Sequence, residues 1–301
     1  MNPPRKVPDK PPAMLDEQIA LLRRRGMIIV DEERTKHSLR HLNYYRLRGY
    51  WMGFETPGDG SGGHSFRPGT TFEAVIQLYE FDRRLRLEIN DAIELFEVSL
   101  RTSWAYFLGC KYGQVAHRNA ALFNAKHPDL LQGMEKLYNK RKEVFLRHYL
   151  KRDEEPPIWV LCEALSLGEL SKWLRSLKNH RDRQAIARIY KMHETPFVSC
   201  VGHLAYLRNV CAHHARLWNR SLVVATPKLP KKPRELVEQL QDDPQRSLRL
   251  YNSLTLMAWF IRVIDPNSTW PKRMHRLIAE RSDLQEEMGF PQNWENFELW
   301  R

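Results

Sequence analysis

Leu78, Leu85, Ile89, Ile93, Phe96, Leu100 and Trp104 recur at steps of three, four or seven residues. That period places every one of them on a single face of a helix running from about Thr71 to Leu108. A helix of that length must bury its stripe against other helices or against a sheet. Only "MIIV" (27–30) and "SLVVAT" (221–226) lean towards strand, and no hairpin series or fixed-period repeat accompanies them. The expected fold class is therefore all-α, a helical bundle.

Other segments read the same way. Asp16 opens a helix, "DEQIALLRRRG", with Ile19, Leu21 and Leu22 inward and Gly26 as its stop. Asp31 is placed to cap a single second helix, "DEERTKHSLRHLNYYRLRGYW", on which Tyr45 and Trp51 pack inward. Further helices are expected near 130–150, after Pro156–Pro157, through 197–218, and near 245–264 and 270–288. Residues 56–65, "TPGDGSGGHS", form the plainest break, with none of the spacing of a phosphate-cradling glycine loop. The expected organisation is an N-terminal arm and helices over 1–55, a main helical domain over 66–265 and a C-terminal helical extension over 266–301, together one compact unit.

With 42% hydrophobic residues the chain has material for a true core. Its formal charge of +12 favours a polyanionic partner, nucleic acid above all. Cys110, Cys162, Cys200 and Cys211 are widely spaced and form no C-x-x-C pair, which argues against a disulfide framework and for reduced thiols in the cytoplasm. The longest uncharged apolar run, Leu254 to Ile261, falls far short of the ~18 residues that signal a bilayer span. No membrane association and no signal peptide are expected.

The chemistry concentrates in "LRNVCAHHARLWNR" (207–220). Arg208 offers a permanent charge and a planar fork suited to phosphate. His213 can give or take a proton near neutral pH, and Asn209 can hold a phosphate oxygen or orient the histidine. Together these suffice for metal-independent RNA cleavage, with no cofactor. Five helical residues turn by ~500°, so Arg208 and His213 sit ~140° apart, whereas Asn209 and His213 share a face. A second copy related by a two-fold axis would bring two arginines and two histidines to one cleft, so a homodimer with a composite site is expected. The same residues also suit a plain solvated helix face, or an RNA-binding module that clamps phosphate without cutting it.

Other candidates surround this stretch. Cys200, His203, Cys211, His213 and His214 raise a zinc alternative, but the helical period through Val201, Leu204, Leu207 and Cys211 argues for core, and no metal is expected. Asn90, Glu94, Glu97 and Arg101 form a polar stripe beside the apolar one, which reads first as a solvated face; if it faces the Arg208 helix instead, Glu97 and Arg101 would support Arg208 or His213. His214 is a further supporting candidate. Arg46 and Arg48, interleaved with aromatics, and Arg216 are candidate RNA contacts.

Several stretches taken together resemble one family. "KPPAMLDEQIALLRRRGMII", "LNYYRLRGYWMGF", "FRPGTTFEAVIQLYEFDRRLR", "AIELFEVSLRT", "NVCAHHARLWNR" and "MGFPQNWENFELW" are similar to bacterial Abi-like abortive-infection proteins of the AbiD/AbiF type, within the HEPN superfamily. The resemblance implies an α-helical, commonly dimeric HEPN-like protein and an Arg…His ribonuclease motif that falls here on Arg208, Asn209 and His213. It further implies an endoribonuclease toxin of phage defence, with RNA as substrate and a neighbouring noncoding RNA as antitoxin. The alternative it leaves is an RNA-binding or RNA-regulated antiphage protein without nuclease activity.

Overall fold

The computed structural model describes residues 11–56, 64–140, 144–152, 154–224 and 226–301, without the side chains of 139, 140 and 150. The start of the proline-rich arm and most of the glycine-rich stretch lie outside the described residues. Among the described residues the fold is all-α, with three isolated backbone bridges and no strand. The helices are α1 (Leu15–Arg24), α2 (Glu32–Leu42), α3 (Tyr44–Trp51), α4 (Phe72–Tyr112), α5 (His127–Lys140), α6 (Val144–Lys151), α7 (Ile158–Leu161), α8 (Leu167–Ser176), α9 (His180–Ile189), α10 (Glu194–Ala212), α11 (Arg234–Val237), α12 (Leu250–Ile264) and α13 (Trp270–Ala279). No helix among the described residues is long and apolar enough to cross a membrane. The chain divides into two compact units, 1–83 and 84–301, with the boundary inside α4.

In the first unit the expected second helix is two. Asp31 caps α2, its Oδ1 accepting from the Arg34 N–H at 2.9 Å. At Asn43 the backbone turns to φ 63°, and its side chain then caps α3 by accepting from the Tyr45 N–H. Asparagine tolerates this conformation because its short amide bonds locally, so the chain restarts in a new direction. That break turns Tyr45 out to 81% exposure, against the inward packing expected of it, while Trp51 is buried as expected. Tyr50 donates to the buried Asp82 at 2.8 Å.

The second unit is built on apolar helix faces. Leu85, Ile89, Ile93, Phe96, Leu100 and Trp104 of α4 are all buried, as their period requires. α12 is buried along its length from Leu250 to Ile261, with its polar Asn252, Ser253 and Thr255 hydrogen-bonded, as a helix at the centre of a core must be. The Tyr190 ring stacks on Phe197 of α10 at 4.8 Å and meets Phe96 of α4 and Phe260 of α12. Its hydroxyl bonds Ser99 and Ser103, and the Trp259 indole donates to its carbonyl. α10 also packs on α8 and α9. The helix expected after Pro156–Pro157 is interrupted: Ser166 and Glu169 form a reciprocal capping box that starts α8 afresh.

His117 is completely buried, with Nε2 2.9 Å from Glu155 Oε1. Burial holds its imidazole below the ordinary histidine value, against the opposing pull of Glu155. The unfolded chain therefore takes up this proton at a higher pH than the folded one. The neutral buried form contributes stability above the unfolded value of about 6.5, and that contribution is lost as the pH falls below it. Urea denaturation at pH 7.5 and 5.5 should show lower stability at the acid end, with a shallower slope in His117→Gln. Identical slopes in the two proteins would refute a neutral buried His117.

Candidate functional site

α10 ends inside the stretch that carries the chemistry. The Ala215 N–H reaches the Val210 carbonyl at 3.0 Å and the His214 N–H reaches that of Cys211 at 2.9 Å, with His214 at φ 54°. This is a Schellman motif, and it occupies with histidine the left-handed position that usually takes glycine. Leu207, Val210 and Cys211 face the core, which leaves Arg208 half-buried and Asn209, His213 and His214 exposed. The His213 N–H still bonds the Asn209 carbonyl at 3.0 Å, so helical rotation continues through His213. The angular offset of Arg208 from His213 thus persists to the end of the helix.

Arg208 faces α4. It shares a cleft of about 300 Å³ with Asn90, Ile93, Glu94, Glu97 and Arg101. Asn90, Glu94, Glu97 and Arg101 follow one another at steps of four, three and four, which is why one turn after another of α4 feeds the same cleft. Arg101 is pinned on all sides: it donates to Glu97, through Nε and Nη2 to the Leu165 carbonyl at 3.1 and 2.7 Å, and lies 3.5 Å from Glu163. The side chains of Arg101 and Glu97 are only 19% and 12% exposed. Half-buried charge-assisted bonds of this kind outweigh an exposed i,i+4 pair. Arg208 has no carboxylate partner among the described residues; its Nη1 lies 3.4 Å from Asn209 Oδ1.

One chain therefore brings Arg208 to Glu97 and Arg101, and does not bring Asn209, His213 or His214 into that cleft. The Arg216 guanidinium lies 5.8 Å above the Trp218 ring, a cation–π contact that anchors the turn after α10. Arg46 and Arg48 are exposed on α3, in the other unit. Among the described residues no group of three His, Cys, Asp or Glu is placed to hold a metal. Cys200 and Cys211 lie in the core, and burial pushes the Cys200 thiol far up. Both ring nitrogens of His203 are already engaged, by the Val224 carbonyl and by Ser253. The hold of Leu165 and Glu163 on Arg101 was not visible from the spacing of α4, although the S-x-x-E signal at 166–169 marks the turn that delivers them.

The family described as Abi-like protein matches residues 37–219, more than half of the 301 residues. The chain belongs to that family, and membership supports a role in abortive infection. The match takes in α3, α4 and the whole of α10 through Asn219. No curated protein and no solved structure is found to match the chain.

The left-handed backbone at His214 should govern which residues this position accepts. His214→Gly is expected to keep or slightly raise stability, and His214→Val to lower it by about 1–3 kcal/mol, because a β-branched side chain clashes at positive φ. Urea denaturation of the two variants checks this; an unperturbed His214→Val would mean that the helix ends differently.

Proposed function

We propose that this Abi-like protein is a metal-independent endoribonuclease of the HEPN type, acting in abortive infection, with a composite site made by two copies of the chain. The observation that carries this reading is the end of α10: an exposed histidine at the C-cap, and an arginine five residues earlier turned into a cleft beside a carboxylate. The offset between Arg208 and His213 within one helix makes each chain's set incomplete. Two such helix ends around a two-fold axis supply two cations and two proton carriers.

In this mechanism His213 removes the 2′-hydroxyl proton and the 2′-oxygen attacks the adjacent phosphorus. Arg208 neutralises the charge on the phosphorane, and Asn209 orients a phosphate oxygen or the imidazole. The bond from phosphorus to the 5′-oxygen breaks, and the partner's His213 returns a proton to that oxygen. The products are a 2′,3′-cyclic phosphate and a 5′-hydroxyl. Glu97 and Arg101 act as positioning residues that shape the wall against which Arg208 lies. The excess of positive charge suits an RNA substrate and a restraining noncoding RNA alike.

A second reading has one observation in its favour. Among the described residues no histidine lines the Arg208 cleft of a single chain, which suits a module that grips phosphate without cutting it. Incubation with mixed RNA in EDTA separates the two. The cleaving protein should release cyclic-phosphate ends, with Arg208→Ala and His213→Ala each slowed about 10²–10⁴-fold. It should also sediment at twice the 35.8 kDa mass of the chain. Salt-dependent binding with no new ends in any of the three proteins would leave only the binding module.

A further inference from the structure

A cavity of about 740 Å³ opens beside the N-terminal half of α10, lined by Arg175, His193, Thr195, Ser199, Gly202 and Lys228 among others. Among the described residues no carboxylate lines it. Among the described residues neither Arg175 nor Lys228 has a carboxylate or hydrogen-bond partner, and both are exposed. Glu194, the acidic group at the start of α10, is neutralised by Arg183 at 2.6 Å and accepts from the Thr195 hydroxyl. Gly202 has a specific part: a Cβ there would lie 2.8 Å from Arg175 Nη2, so the guanidinium rests against bare helix backbone.

The outer wall is held in place. The Val224 carbonyl accepts from His203 Nδ1 at 3.1 Å, and the Thr226 hydroxyl bonds Ser253 at 3.2 Å. These two ties fix the proline- and lysine-rich segment that delivers Lys228. Arg175 comes from the last turn of α8 and His193 from the N-cap of α10. Three separate elements therefore converge on one basic cavity, whose Ser199 hydroxyl donates to the Thr195 carbonyl at 3.2 Å.

The cavity shares a face of α10 with the proposed reaction centre. Thr195, Ser199, Gly202, Tyr206, Asn209 and His213 follow at steps of four, three, four, three and four. On an ideal helix they fall within about 80° of one another, over about 27 Å of axis. All six are exposed or half-exposed, whereas Arg208 points to another face. These residues mark a track from the cavity to His213, with the Val223 N–H donating to the Tyr206 hydroxyl midway at 3.3 Å.

We propose that this cavity holds backbone phosphate of the same single-stranded RNA that presents its reacting phosphodiester to His213, with Arg175 and Lys228 neutralising the charge. The proposal rests on the RNA reading above and adds to it a second, non-reacting surface for the strand. Binding energy gathered there positions the strand along the track without touching the bond that breaks.

The test uses the full chain and a 2′-O-methylated single-stranded oligonucleotide, which binds but has no free 2′-hydroxyl to attack. Fluorescence anisotropy across a NaCl series should show Arg175→Ala/Lys228→Ala binding at least tenfold more weakly than the parent at low salt. Removing two phosphate-neutralising cations should flatten the slope of log K against log salt by about 1.4. Ser199→Glu, which places a carboxylate in the cavity, should weaken binding comparably, and thermal melting should show both variants folded. On cleavable RNA the double variant should raise KM more than it lowers kcat, the reverse of His213→Ala. Parental affinity and slope in both folded variants would overturn the proposal while leaving the RNA reading intact. A parent that binds no oligonucleotide would remove both. Inorganic phosphate or a mononucleotide competing at concentrations equal to the strand's own would assign the cavity to a small phosphorylated ligand instead.

Discussion

The Tyr190 ring is the contact on which the second unit turns. It stacks on Phe197 of α10, meets Phe96 of α4 and Phe260 of α12, and satisfies its hydroxyl on Ser99 and Ser103. Aromatic packing supplies the burial, and the hydroxyl bonds fix the rotation of α4. Once α4 and α10 are locked in rotation, the polar residues beside the buried ones have no freedom of placement. Glu97 follows Phe96, so it must face the cleft, and Arg208 lies three turns beyond Phe197 on a helix that cannot rotate. The core thereby decides which charged groups meet.

The α4 stripe was legible because its period is long and its residues are large and apolar; every member in the second unit is buried. Breaks were harder to read than helices. Asn43 lies inside a run whose apolar period continues across it, and only the left-handed backbone there divides α2 from α3. Ser166 divides α7 from α8 with ordinary extended backbone, and its capping box was present in the sequence. Tyr45 shows the consequence: a residue placed inward by an unbroken helix turns to solvent once the helix restarts.

The candidate chemistry was legible in kind and only partly in place. The i,i+4 order of Glu97 and Arg101 foretold their pairing, but their burial comes from Leu165 and Glu163, which no local pattern links to α4. The cysteines and histidines that suggested zinc separate once α10 is packed: Cys200, His203 and Cys211 face the core, and His213 and His214 face solvent. The basic cavity left no trace in any single stretch. Arg175, His193 and Lys228 stand up to 53 residues apart and meet only because α8, α10 and the segment after Val224 converge.

By itself the sequence determined the helical class, the long central helix, the identity of the polar residues on α10 and the offset of Arg208 from His213. Each of these depends on local geometry, a rotation of 100° per residue and the segregation of apolar side chains to one face. Tertiary structure alone decided which carboxylate faces Arg208, which histidines remain accessible and where positive charge goes unneutralised. Those outcomes depend on residues distant in the chain, and only the close packing of Tyr190, Phe197 and Phe260 holds their helices in a single relative rotation.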